Sequence, residues 1–114
     1  MSARILHIAR GEDWLAAQQM GEYRNDSLTT EGFIHCSKAE QVVGVANSFF
    51  VGQHGLVLLV IDPSRLKSEL GWETSPGSEE LFPHIHGLLN LEAVIHVLAF
   101  EPGLDGKFSL PPLK

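Results

Sequence analysis

The sequence has little of several features that mark particular classes of protein. It contains one cysteine in 114 residues, so no internal disulfide can form, and its 8 Lys and Arg are outnumbered by 14 Asp and Glu. The formal net charge of -6 argues against non-specific binding to nucleic acid, because such binding requires an excess of cationic side chains. A small phosphorylated ligand, held by a local cluster of donors, remains open.

Long hydrophobic runs are missing as well. No apolar segment approaches the roughly 18 residues of a membrane span, and residues 1–14, MSARILHIARGEDW, lack the apolar run of a signal peptide. We therefore expect a cytoplasmic protein without a membrane partner. The length suits a single domain over residues 1–114, with a core over about 4–101 and a Pro- and Gly-rich surface tail over 102–114.

Apolar periodicity predicts helices and strands that do not alternate regularly, which favours an α+β fold over a doubly wound sheet. Residues 55–61, GLVLLVI, predict a central strand with apolar neighbours on both faces. In residues 4–9, RILHIA, period-two geometry puts His7 on the same strand face as Ile5 and Ala9. The other predicted elements are a helix over 11–21, a loop over 22–32, a strand to Cys36, a helix from an N-cap at Ser37 to about Phe50, a helical turn capped by Asp62 and Pro63, extended pieces with turns over 71–87 and a last strand over 93–100.

Residues 31–41, EGFIHCSKAEQ, place a histidine, the only cysteine and a serine side by side. Adjacent strand residues point to opposite faces, so His35 does not lie beside Cys36 and a Cys-His nucleophile is excluded. We expect Cys36 to be a small buried hydrophobe. Ser37 has the capping-box spacing to Glu40, and the N–H groups of the helix it begins are also suited, together with His35, to a phosphate or ribose.

A second group of candidates lies near the C-terminal third. If residues 82–87, FPHIHG, are extended, His84 and His86 share one face, as two metal-binding imidazoles on a strand do. A metal would need a third ligand from His7 or His35, and the alternative is that the histidines hydrogen-bond a ligand. Glu73 follows Trp72, and burial there would raise the pKa of Glu73 for acid or base work; the alternative is an exposed loop glutamate.

Several motifs together resemble a known family. The motifs that carry this resemblance are ILHIA, GEYRNDSLTTEGFIHCS, LLVID, WE and FPHIHGLLNLEAV. Through them the chain resembles the bacterial domain of unknown function 952 from about Ile5 to Phe100. That family has no assigned activity and is distantly similar to ADP-ribosyltransferases, including the RNA 2'-phosphotransferases that use NAD. The resemblance implies an ADP-ribosyltransferase-like fold, with two small, mostly antiparallel sheets around a cleft and flanking helices.

The same resemblance implies roles for particular side chains, with NAD as the cofactor. Those transferases carry a histidine or arginine on the first core strand, a polar group on a second strand and often a glutamate on a later one. These positions match His7, His35 with Ser37, and Glu73, which makes His7, His35 and Glu73 the predicted catalytic residues. His7, however, precedes Ile8, where many of these transferases have glycine.

The implied contacts to the ligand are specific. His7 would hold a ribose hydroxyl, His35 with the helix N-terminus at Ser37 would receive a pyrophosphate oxygen, and Glu73 would polarise the 2'-hydroxyl of the ribose. The predicted binding residues are His7, Tyr23, His35, Ser37, His84 and His86, with Tyr23 stacking on a base from a mobile loop.

Three functions follow from these observations. The first is binding of a nucleotide or NAD-like ligand in a histidine-lined cleft, with ADP-ribosyl transfer. The second is a binding or regulatory module with the same cleft and no turnover. The third is metal-assisted hydrolysis with His84, His86 and either His7 or His35 as ligands.

Overall fold

The computed structural model describes residues 3–74 and 77–113 and shows an α+β arrangement in them. The α-helices are α1 (Gly11–Met20), α2 (Ser27–Thr30) and α3 (Ala39–Phe49). The strands are β1 (Ile5–Arg10), β2 (Glu22–Tyr23), β3 (Ile34–His35), β4 (Leu56–Ile61), β5 (Glu69–Thr74), β6 (Leu81–His86), β7 (Leu89–Asn90) and β8 (Val94–Phe100). Short 3₁₀ turns cover Pro63–Arg65 and Leu91–Ala93. Residues 75–76 of the predicted extended and turn segment lie outside the described residues.

The strands form three antiparallel sheets, with the orders β1-β4-β8, β2-β7 and β3-β6-β5. The prediction of an α+β fold with small antiparallel sheets and helices beside them is confirmed. The two-stranded sheet β2-β7 was not predicted. The prediction of a loop over 22–32 is wrong at its start and in its middle, because Glu22 and Tyr23 pair with Asn90 and Leu89 and a short helix begins at Ser27. The polar sequence around Glu22 gives no strand pattern, and its partner strand lies more than 60 residues away along the chain. The pairing therefore could not be predicted from neighbouring residues.

Strand β4 lies in the middle of the first sheet, as its uniformly apolar sequence predicts. Its alternate residues pack into two separate cores, Leu59 and Ile61 on one face and Leu58 and Val60 on the other. All four are completely buried. Burial on both faces is what requires an apolar side chain at every position.

Local signals set the ends of several elements. Gly21 ends α1 in the left-handed conformation, with φ of 83°, and Asp62 accepts a hydrogen bond from the Ser64 amide ahead of Pro63, as predicted. The N-cap of α3 is a correction: it is Lys38, not Ser37, and Gln41 rather than Glu40 accepts from its backbone N–H at 2.9 Å. Ser37 remains extended because its own N–H and C=O are both paired with Leu6.

The first and third sheets meet at one pair of residues and then separate. Leu6 of β1 and Ser37, two residues after β3, exchange two backbone hydrogen bonds of 2.8 Å. Antiparallel ladders bond every second residue, so the next pair would join Ile8 to His35. Instead, the His35 carbonyl accepts from Nδ1 of the His7 ring at 2.5 Å. The imidazole thus takes the place of a backbone pair, and the two sheets diverge beyond it.

No helix in the described residues is long and apolar enough to cross a membrane.

Replacement by alanine should have opposite effects on stability at two glycines. Gly21→Ala should destabilise the fold by about 1 kcal/mol, because alanine is strained at the positive φ of Gly21. Gly44→Ala should stabilise it by about 0.5–1 kcal/mol, because Gly44 lies within α3 and a Cβ there meets nothing within 4 Å. Urea unfolding of both variants measures the difference, and equal effects of the same sign would contradict it.

Candidate functional site

A cavity of about 520 Å³ opens where the first and third sheets separate. This volume lies within the range typical of small-molecule sites. Strand β1, the end of β3, the C-terminal half of α3 and β6 form its walls. The lining residues are Leu6, His7, Ile8, Asn25, His35, Cys36, Ser37, Val45, Phe49, Phe50, Ser78, Phe82 and His84. Within the described part of the chain, none of these is Lys or Arg, so the polar groups of the lining are imidazoles, hydroxyls and an amide.

His7 is held in one protonation state by its neighbours. Its Nδ1 donates to the His35 carbonyl, so its Nε2 accepts from the Tyr23 hydroxyl at 2.8 Å. Burial lowers the pKa of His7 to about 4, and burial also raises the pKa of Tyr23 to about 12. Asn25 donates to the Tyr23 oxygen at 3.2 Å and is the last group in this series of hydrogen bonds. At neutral pH both side chains are therefore uncharged. Contact between His7 and a ribose hydroxyl would have to replace one of these hydrogen bonds.

Tyr23 is a correction to the prediction of a mobile, base-stacking side chain. It lies in β2, its exposure is 0%, and its ring contacts His7 edge to face. A hydroxyl that bonds a buried imidazole explains why this tyrosine points inward, and no face of the ring remains open to a base.

His35 lies at the rim of the cavity with a carboxylate beside it. Its Nε2 donates to Glu31 at 3.0 Å, and both side chains are about half exposed. Ile34 and Cys36, its neighbours along the chain, are buried on the opposite face, as predicted. Burial raises the pKa of the Cys36 thiol, which keeps it protonated and unreactive and confirms its prediction as a buried hydrophobe.

His84 and His86 share one face of β6, as predicted, and a single carboxylate lies between them. Glu73 on β5 accepts from His84 Nδ1 at 2.6 Å and from His86 Nε2 at 3.0 Å. The hydrogen bond from His84 lowers the pKa of Glu73, and the bond from His86 adds to this effect. Of the two alternatives for Glu73, the buried carboxyl with a raised pKa is wrong, because two imidazoles favour its charged form. The exposed glutamate is confirmed at 44% exposure, on a strand instead of a loop.

His84 is the most enclosed of these groups. Its side chain is 4% exposed, and its Nε2 is buried without a hydrogen-bond partner in residues 3–74 and 77–113. Phe33 stacks on its ring, with centroids 4.0 Å apart and planes 15° apart, and also contacts His35 and His86. Sequence reasoning gave Phe33 no role, although its position two residues before His35 places it on the same strand face.

The predicted metal site is not brought together. Among the residues that the structure describes, no group of three or more His, Cys, Asp or Glu side chains is arranged to hold a metal ion. Both ring nitrogens of His7 are bonded to other groups, and His84 and His86 each direct a nitrogen at Glu73.

The neutral state of His7 predicts a pH dependence of stability. The unfolded chain protonates His7 below about pH 6.5 and the folded chain only below about 4, so this contribution is complete above pH 6.5 and is lost as the pH falls toward 4. Between pH 7 and pH 4, the native chain should lose about 3 kcal/mol more free energy of unfolding than His7→Gln, which can donate and accept but does not titrate. Urea unfolding at several pH values measures both, and parallel pH curves would contradict the assignment.

Comparison with known proteins places the chain in a family and finds solved structures similar to it. The family model for a protein of unknown function, DUF952, matches residues 8–97. Two crystal structures of CC0527 from Caulobacter crescentus, one of a double mutant, have TM-scores of 0.86 with 32% and 31% identity, over 95% of this chain and 95% of that one. The solution NMR structure of CC0527 has a TM-score of 0.80 with 32% identity, over 91% of this chain and 90% of that one. No curated protein matches the chain. The chain belongs to the DUF952 family of proteins of unknown function.

Proposed function

We propose that the chain binds a small molecule in the cavity between β1 and β6 and that His84 exchanges a proton with it. The observation that carries this proposal is the state of His84, a buried imidazole on the cavity lining with one nitrogen fixed by a carboxylate and the other without a partner in the described residues. Buried polar atoms are normally hydrogen-bonded, so the unpaired Nε2 of a residue that lines the cavity supports a role in ligand binding. Because Nε2 itself exposes less than 1 Å², contact with a ligand requires the His84 ring to shift toward the cavity.

The Glu73–His84 pair suits general acid-base chemistry. A carboxylate that accepts from Nδ1 fixes the tautomer of the ring and leaves Nε2 to take a proton from a bound hydroxyl or amine. The imidazolium that forms is then stabilised by Glu73, as in other carboxylate–histidine pairs. Glu73 is absent from the cavity lining, so in this proposal it acts through His84 and not on the ligand.

The lining favours a ligand of nucleoside, nucleotide or NAD type. Phe49, Phe50 and Phe82 supply aromatic surface for a flat ring. His35, Ser37 and Asn25 supply donors and acceptors for hydroxyl or amide groups. Because the described lining contains no Lys or Arg, we place the ring and sugar of such a ligand in the cavity and its phosphates at the opening.

ADP-ribosyl transfer from NAD is the reaction that we propose for this site. The bond between nicotinamide and ribose breaks with positive charge on the sugar, and nicotinamide leaves with the electron pair of that bond. The ribose carbon then bonds to the hydroxyl or amine of an acceptor, whose proton passes to Nε2 of His84. Glu73, which lies on the other side of the His84 ring, stabilises the imidazolium that forms. A binding module without turnover is the second candidate, because no glutamate in the described residues lines the cavity itself.

Filling the cavity should abolish binding. Val45 lines it, whereas Val43 on the same helix is half-buried and is not part of the lining. Both pack against the neighbouring core. Val45→Phe should weaken the binding of NAD, ADP-ribose, adenosine or nicotinamide, whichever binds, by tenfold or more, and Val43→Phe should leave it within about threefold. Isothermal titration calorimetry measures the affinities. Equal losses in both variants, or binding of none of the four compounds, would overturn the proposed site.

Removing the imidazole of His84 separates binding from chemistry. If NAD is consumed, His84→Asn should lower kcat by roughly 100-fold or more, because general base catalysis typically contributes that much, while the affinity for NAD falls by about tenfold at most, the effect of one lost hydrogen bond. His54→Asn is the control, since His54 is exposed, bonds Glu101 and lies off the cavity. Turnover that survives in His84→Asn would exclude His84 as the base.

A further inference from the structure

We propose that Gly71 and His86 are positioning residues that hold the Glu73 carboxylate on His84. This inference rests on the proposed role of His84 as the base and assigns the residues that set the geometry of that base. Neither residue lines the cavity, so both act through Glu73.

Gly71 leaves the space that the carboxylate occupies. It lies in the middle of β5, opposite His84 on β6. A Cβ at this position would be 2.9 Å from Oε2 of Glu73 and 3.1 Å from Nε2 of His86. The first distance is shorter than real Cβ contacts, so any side chain at position 71 would displace the carboxylate or the imidazole. Glycine weakens a strand interior, and a close approach of other groups is a common reason for finding it there.

His86 holds the other side of the same carboxylate. Its Nε2 lies 3.1 Å from Oε1 and 3.0 Å from Oε2 of Glu73, so it contacts both oxygens. A flexible glutamate side chain that is 44% exposed would otherwise sample several rotamers. With His86 on one side and His84 on the other, the carboxylate is confined to one position.

The consequence is a fixed tautomer of His84. Glu73 accepts a hydrogen bond from the N–H group at Nδ1, which leaves Nε2 as the nitrogen directed away from the carboxylate. Phe33 stacks on the ring and keeps it in this plane. The other charged or titratable side chains near this group, among the residues that the structure describes, include His35, whose ring centroid is 5.4 Å from that of His84, and Glu31, which binds His35. Glu69 is the cross-strand partner of His86.

Nitrogen-15 NMR of the ligand-free protein at pH 8 tests this arrangement directly. The native chain should show His84 protonated at Nδ1. Gly71→Ala and His86→Ala should each shift this Nδ1 signal and speed exchange of its proton with water by tenfold or more, because the carboxylate is no longer confined. His86→Ala adds no atoms and therefore tests the inference even if Gly71→Ala does not fold.

Two controls separate this effect from general disturbance. His54→Ala removes an exposed histidine bonded to a glutamate elsewhere, and Gly44→Ala adds a Cβ where space is open; both should leave the Nδ1 signal unchanged. An Nδ1 without a proton in the native chain, or a signal that neither test variant moves, would overturn the inference. These results need no ligand, so a failure to bind NAD would count against the proposed function alone.

Discussion

The hydrogen bond between the His7 ring and the His35 carbonyl determines where the cavity lies. At Leu6 and Ser37 the first and third sheets are joined by an ordinary backbone pair. At the next pair the carbonyl of His35 accepts from an imidazole instead of from the backbone of Ile8. This exchange satisfies the carbonyl, as a buried polar group requires, and places an imidazole where the next backbone pair would lie. The same ring is aligned from its other side by Tyr23, so the short β2-β7 sheet supports the opening.

The chemical groups of the site lie next to this opening for a simple geometric reason. His35 and His84 are cross-strand partners on β3 and β6, so their side chains share the sheet face that turns toward the cavity. Phe33 and His86 extend the same face, and Gly71 leaves room there for Glu73. Protonation differs within this small region: His7 is kept neutral by burial, whereas Glu73 is kept charged by two imidazoles.

The sequence predicted best what depends on neighbouring residues. The central strand over Leu56–Ile61, the end of α1 at Gly21 and the cap at Asp62 all follow from local periodicity or turn chemistry. The errors concern residues whose position depends on distant partners. Tyr23 is buried because His7 needs its hydroxyl, and Ser37 is extended because Leu6 pairs with it. Glu73 has a lowered pKa because β6 brings two histidines to it, and no feature near Glu73 in the sequence indicates that contact.

Hydrogen exchange at two amides of β1 tests the opening of the sheet most directly. The N–H groups of Leu6 and Ile8 point to the same edge. Among the acceptors in residues 3–74 and 77–113, the Leu6 N–H meets the carbonyl of Ser37 at 2.8 Å and the Ile8 N–H meets no backbone carbonyl at this edge. We expect the Ile8 amide to exchange with deuterium at least tenfold faster than the Leu6 amide in the native chain. Equal protection of the two amides would mean that the ladder continues past His7, and the cavity would then have no structural origin in this ring.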